Sequence, residues 1–290
     1  MYRSQEIKLR FLIIQENSQS EVDRQYRECI CAQRALIALN QECDVWGLNY
    51  PDFNTHPDFN SYDVIIILEN DDKGWLAKLP LRNCPAIKIV WAIDAHCRGI
   101  EYYRNIFNYF NCNYCLQATK DLVSLISNSS WFPNCFDDTI IKPLDVPKTI
   151  NVGFCGNYVN RQGWIDYLEQ TQPIHKDIGI RGEGMVRAIN SYKIHWNKNI
   201  GIDLNYRNFE TIGCGTLLLT DYNWMYKDLG FVHNENVVFY NSPTDCLIKI
   251  KELLNNPAEM GRIAQNGYEL SKKHTYLERM RSLVGFLSKS

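Results

Sequence analysis

Several short stretches of this 290-residue sequence place polar side chains at turns where they could do chemistry. The most informative is NYRNFETIGCGTLLLTDYN, residues 205–223. A strand-like run ends near Leu204, a polar turn holds Asn205 and Arg207, and a short helix begins near Asn208 and ends at Gly213. Gly215 then turns the chain into the apolar run TLLLT. A helix N-terminus that follows a parallel strand offers free backbone N–H groups and the positive end of a dipole, which suits a diphosphate. Glu210 lies one turn in, where a carboxylate can accept hydrogen bonds from ribose hydroxyls. The same residues also read as an ordinary βα turn, with Arg207 and Glu210 as a local ion pair and the glycines as caps.

A second cluster stands at INVGFCG, 150–156, a strand that enters a glycine turn. Gly153 and Gly156 permit close backbone approach there, Asn157 follows, and Arg161 could neutralise phosphate charge. The reading of a plain strand exit with a surface arginine carries equal weight. Arg181, Gly182 and Gly184 close the next strand-like segment, where such folds meet a nucleotide base. In the first half, WAIDAHC, 91–97, sets Asp94 and His96 directly after an apolar strand. Ligands of open α/β sheets gather at that edge, and a carboxylate two residues from an imidazole could position or deprotonate a hydroxyl near neutral pH. The competing reading has Asp94 capping the next helix and His96 in a loop.

The elements that must hold these residues alternate between the two periodicities. KLRFLIIQ (8–15), YDVIIIL (62–68), AIKIVWAI (86–93) and YCLQAT (114–119) read as strands. The continuous apolar runs among them suit parallel strands covered on both faces. Residues 21–39, 98–110 and 121–128 read as helices, and CDVWGL (43–48) as a loop. Pro133, Pro143 and Pro147 interrupt both periods, so a linker is expected around 133–150. The series then restarts: strands at 150–156, 176–182, 193–204, 216–220 and 236–240, and helices at 161–170, 208–213, 242–256, 257–273 and 276–288. Ser242, Pro243 and Asp245 form a helix-start signal. This is a βαβ series in two halves.

RNFETIGCGTLLLTD resembles the R-x-F-E-x-x-x-x-G-x-x-L-L-T-D signature of CgeB-like glycosyltransferases, a spore-maturation family related to the group 1 glycosyl transferases. The downstream segment NENVVFYNSPTDCLIKIKELLNNPAEMGRIAQNGYELSKKHTYLERM resembles that family's tail in the same order. The match is good over 193–282, weaker at 150–182 and weakest in the first half; WAIDAHC is similar to a W-x-x-D segment of the family's first domain. The resemblance implies an α/β fold of the GT-B type, two Rossmann-like domains with parallel sheets facing an interdomain cleft. Residues 1–140 would form the acceptor-side domain, 141–150 the linker, 151–275 the sugar-nucleotide domain, and 276–290 a helix packing back on the first domain. It implies transfer of a sugar from a UDP- or GDP-sugar, with retention of anomeric configuration. Glu210 matches the ribose-binding glutamate, Asn205 and Arg207 the loop that faces phosphates or sugar, and Thr211 the helix start at the diphosphate. Asp203 stands where many relatives carry a second glutamate against the donor sugar. The donor residues expected are therefore Gly156, Asn157, Arg161, Arg181, Asn205, Arg207, Glu210 and Thr211; the catalytic ones are Asp94, His96 and Asp203.

Composition narrows the alternatives. Lys plus Arg total 31 against 33 acids, a net charge of −2, which advertises neither a nucleic-acid nor a membrane partner. The eleven cysteines are scattered, which does not suit a disulfide framework, and Cys112–Cys115 lacks the second pair a structural zinc site needs. No cofactor and no metal are expected, and no DxD motif stands at a suitable strand end. The run FLII in MYRSQEIKLRFLIIQEN is too short for a leader or an anchor, so a cytoplasmic location is expected. QENSQSE replaces the glycine motif that a nicotinamide enzyme would carry after the first strand. The acceptor is open: a glycan, a protein, a small molecule or a DNA base. A sugar-nucleotide epimerase or hydrolase, or a non-catalytic sugar-nucleotide-binding or carbohydrate-binding relative, would share the donor site.

Overall fold

The computed structural model describes residues 8–68 and 74–289; the first seven residues of the N-terminal segment lie outside the described part. The chain divides into two compact units, Met1–Pro133 with Tyr276–Ser290, and Asn134–Thr275.

The first unit contains β1 (Arg10–Ile14), α1 (Glu21–Arg24), α2 (Glu28–Ala38), β2 (Glu42–Trp46), β3 (Val64–Ile67), β4 (Ile87–Ala92), α3 (Ala95–Arg98), α4 (Ile100–Tyr109), β5 (Tyr114–Gln117) and β6 (Ser129–Trp131). The strands form one parallel sheet in the order β2-β1-β3-β4-β5-β6. β3 is buried at every position, as its unbroken VIII run requires. β2 was expected as a loop, because Asp44 interrupts its apolar residues. Asp44 is instead held at the sheet margin by Arg10 at 3.2 Å and by the Tyr62 hydroxyl at 2.8 Å, while Gln33 donates to the Cys43 carbonyl. The segment after β5 is a 3-10 turn, Lys120–Leu125, and not an α-helix.

The second unit contains β7 (Ile150–Gly156), α5 (Gln162–Leu168), β8 (His175–Ile178), α6 (Gly182–Ser191), β9 (Tyr192–Trp196), α7 (Tyr206–Gly213), β10 (Leu217–Asp221), β11 (Val238–Tyr240), α8 (Pro243–Asn255) and α9 (Pro257–Ser271). Its parallel sheet runs β11-β10-β9-β7-β8. Ser242 caps α8 by accepting from the Asp245 N–H, and Asn256 caps α9 in the same way through Glu259. α6 was not foreseen. Its GEG opening reads as a turn, yet Met185, Val186 and Ile189 bury one face at helical spacing.

The proline-rich stretch expected as a linker clusters with the second unit from Asn134 onward. Asn134 donates to the Leu204 carbonyl, Asn190 bonds both the Leu144 amide and the Lys142 carbonyl, and Phe136 pairs with Thr275. Lys148 places its ammonium among the Asn190 and Tyr192 carbonyls and the Thr216 hydroxyl. Side-chain-to-backbone bonds of this kind leave no periodicity in a sequence. The last helix, α10 (Tyr276–Leu287), belongs to the first unit and packs on α2. Phe286 sets its ring edge-on to Tyr114.

Candidate functional site

The second unit gathers most of the expected donor residues at the carboxyl edge of its sheet. After β7 the chain turns through Gly156 and Asn157 into α5, with Arg161 at the N-cap position. After β9 it runs through residues 197–205 into α7, with Asn205 at the N-cap position. Arg161 is buried, yet its guanidinium hydrogen bonds reach only main-chain carbonyls, Lys198 at 2.9 Å and Asn157 at 3.2 Å. Arg207 donates its Nε to the Cys155 carbonyl at 3.1 Å and pairs through Nη1 with Glu210. Burial lowers the pKa of Arg161, and the positive charge of Arg207 lowers it further. Two guanidiniums thus share one neighbourhood; Glu210 is paired with Arg207, and the Asp221 carboxylate acts on Arg161 without an ion pair to it.

Beneath them runs a closed set of hydrogen bonds that joins the two loops. The Cys155 amide donates to His195 Nε2 at 3.2 Å, so the ring proton lies on Nδ1, which donates to Thr211 Oγ1 at 2.5 Å. The Thr211 hydroxyl donates in turn to the Arg207 carbonyl. With Arg207 Nε on the Cys155 carbonyl, the circuit closes. It explains why Thr211, expected at the diphosphate, is fully buried: its hydroxyl is spent inside the protein. Burial first, then Arg207 and Arg161, push the His195 imidazole down to about 3, so it stays neutral.

A stability consequence follows. The unfolded histidine titrates near about 6.5, so the unfolded chain binds the proton more strongly between that value and 3. The contribution of neutral His195 is whole above pH 6.5 and is lost as the pH falls toward 3. His195→Asn is expected to cost about 1–3 kcal/mol at pH 8 by leaving the Cys155 amide unmatched. In urea unfolding the gap to wild type should shrink between pH 6.5 and 4.5. A gap that does not change with pH would show that His195 is not held neutral.

The loop ahead of α7 rests on a second network. Asn197 donates to Asn208 and Thr220, Asn208 donates to Asn199, and Asn199 donates to Asp221 and to the Tyr226 hydroxyl. Asn205 turns its amide toward Asn197 and the Lys198 carbonyl and makes no side-chain cap. These interlocked amides fix the backbone that carries Arg207. Nothing local in the sequence marks the bonds of His195 and the asparagines 197, 199 and 208, although NKNIGIDLNYRN is dense in asparagine for a strand exit.

The remaining expected residues are placed as follows. Asp203 is buried in this loop. Gly156 is half-buried at the end of β7, and Asn157 is exposed with its carbonyl on Arg161. Arg181 is exposed at the N-cap position of α6. Gly153 serves packing: a Cβ there would sit 2.3 Å from the Tyr192 ring. Asp94 and His96 lie in the first unit, half-buried at the carboxyl end of β4. Asp94 occupies the N-cap position of α3 but makes no side-chain cap. Burial lowers the His96 pKa, and Asp94 pulls partly in the other direction. Among the described residues no three His, Cys, Asp or Glu side chains are grouped to hold a metal ion, and no helix is long and apolar enough to cross a membrane.

Two Rossmann-like units on parallel sheets, the second with basic helix starts at its carboxyl edge, define a GT-B glycosyltransferase fold. The chain belongs to the glycosyl transferase-like family, whose model matches residues 138–285. A comparison with curated proteins found no match. Among solved structures, an alpha-glucosyltransferase in complex with UDP is similar at a TM-score of 0.70 and 11% identity, over 96% of this chain and 100% of its own. HepE of Anabaena in complex with UDP is similar at 0.67 and 10%, over 97% and 100%. The sucrose-phosphate synthase of Thermosynechococcus elongatus is similar at 0.67 and 11%, over 97% and 98%. At these identities the likeness is one of fold.

Proposed function

We propose that the chain is a CgeB-like glycosyltransferase that moves a sugar from a UDP-activated donor to an acceptor hydroxyl, with retention and without a metal ion. The observation that carries the reading is the pairing of Arg161 and Arg207. Both are positioned by helix starts after parallel strands, and Arg161 is a buried cation whose hydrogen bonds, among the described residues, reach only carbonyls. Such a place suits the charge of a diphosphate. The choice of uridine draws support from the UDP held by HepE and by the alpha-glucosyltransferase.

In the step proposed, the acceptor oxygen forms a bond to the anomeric carbon while the bond from that carbon to the β-phosphate oxygen breaks. The electron pair leaves with UDP. Negative charge grows on the diphosphate, and Arg161, Arg207 and the first amides of α7 stabilise it more in the transition state than in the ground state. Glu210 accepts from the ribose hydroxyls, Asp203 meets the donor sugar, and Arg181 meets the base. Neutral His96, aided by Asp94, takes the acceptor proton. The net charge of −2 weighs against a DNA acceptor.

Glu210 separates this reading from a plain ion pair. Glu210→Gln keeps the side chain's shape and is expected to weaken UDP binding by about 1–3 kcal/mol. Calorimetry that shows unchanged UDP affinity beside a lowered melting temperature would reduce Glu210 to a partner of Arg207.

A further inference from the structure

The second unit carries a cavity of about 540 Å³ that the donor reading does not use, lined by Tyr222, Lys227, Val232, His233, Asn241 and Lys249 among others. That volume lies within the range of small-ligand sites. Tyr222 directly follows β10 and Asn241 directly follows β11, so the cavity opens at the carboxyl edge of the same sheet, where open α/β folds take their ligands.

Its wall has two chemical characters. Tyr222 is 55% exposed and Val232 47% exposed. The Tyr222 ring stands edge-on to Phe239, and His233 stacks on Phe239. Of the polar groups, Lys227, Lys249 and the free edge of His233 present donors, Tyr222 and Asn241 both donate and accept, and Asp245 accepts. His233 Nδ1 accepts from the Phe239 amide at 3.0 Å, which puts the ring proton on Nε2. Lys227 is exposed, and Lys249 has only a long contact, 3.5 Å, to the exposed Glu252. Among the described residues the one carboxylate of the lining, Asp245, already accepts from the Asn241 amide at 2.9 Å.

An apolar face beside a surplus of donors and two ammonium groups selects a ligand with one flat C–H face and an acid group. We propose that this cavity binds an anionic saccharide, its ring against Tyr222 and its carboxylate or phosphate between Lys227 and Lys249. The saccharide identity rests on the glycosyltransferase reading; the preference for an acid rests on the lining alone.

The test is calorimetric titration of tetragalacturonate, maltotetraose and hexathymidylate into the full chain, with UDP titrated into the same samples. Tetragalacturonate is expected to bind and maltotetraose to bind at least about tenfold more weakly, the loss of one charged hydrogen bond. Lys227→Ala with Lys249→Ala, and separately Tyr222→Ala, should each weaken tetragalacturonate by about tenfold or more and leave UDP unchanged. Tyr222 and Lys227 are exposed and Lys249 is half-buried, and melting curves check that the variants fold. Absent tetragalacturonate binding, equal binding of maltotetraose, indifference to all three substitutions, or a preference for hexathymidylate would overturn the inference. If UDP binds and tetragalacturonate does not, the cavity inference alone fails; if UDP itself does not bind, the glycosyltransferase reading fails.

Discussion

A His96→Ala variant is expected to lose sugar transfer by roughly 10²–10⁴-fold, the range for a lost general base, while binding UDP as tightly as wild type. The separation follows from where the groups reside. Every residue assigned to the donor lies in the second unit, whereas His96 stands at the end of β4 in the first. Burial holds the imidazole below its ordinary pKa, so it is neutral and able to take a proton at pH 7. Wild-type kcat should accordingly be flat near neutrality and fall as the pH drops through a value under about 6.5. That limb should vanish in the variant. Asp94→Asn should give a smaller loss if Asp94 only orients the imidazole, and the larger one if the carboxylate is itself the base. Full activity in both variants would remove the pair from the reaction.

The second large effect is expected at Arg207. Arg207→Ala removes a cation from the proposed diphosphate position and should lower kcat by about 10²–10³-fold, as for loss of one preorganised charge donor. It also strands Glu210, whose side chain is only 11% exposed. Breaking a buried pair at one end costs about 3–5 kcal/mol, reduced here because Arg207 itself is 22% exposed. The two losses can be told apart. Turnover per folded molecule, measured below the melting range, reports the catalytic part. Arg207→Lys keeps the charge but not the fork that reaches both the Cys155 carbonyl and Glu210, so it should recover part of the turnover. A variant that melts early yet turns over normally while folded would leave Arg207 as an ion-pair partner alone.

The strands that were legible in the sequence are those whose burial is two-sided. β3 and β4 are unbroken apolar runs because helices cover both faces of a parallel sheet. β2 is illegible because an edge strand alternates and carries Asp44, and β6 because three residues, SSW, are too few for any period. The stretch 134–149 was illegible for another reason: it is fixed by single side-chain bonds, such as those of Asn190 and Lys148, whose partners lie more than forty residues away.

The candidate site divides along the same line. Arg207 and Glu210 could be named from the strand-turn-helix pattern, because they are local to one helix start. The mutual approach of Arg161 and Arg207 could not, since it depends on β7 and β9 pairing in register, Val152 beside Ile194. His195 carried no local signal at all. It lies in the strand run YKIHW, and its role appears only when β9 sets it between the Cys155 amide and Thr211. Thr211 shows the converse: it was expected at the diphosphate, its hydroxyl is bonded to His195 and the Arg207 carbonyl, and sequence position alone does not show whether a hydroxyl faces a ligand or a neighbouring strand.

The central claim is that the second unit binds a nucleoside diphosphate through Arg161 and Arg207, and the direct measurement is a calorimetric titration of UDP and of UMP into the wild-type chain. The account predicts that UDP binds at least about tenfold more tightly than UMP, a difference of about 1.4 kcal/mol or more from the second phosphate, and that Arg161→Ala narrows this gap. Equal affinities for the two nucleotides, or no binding of either, would contradict it.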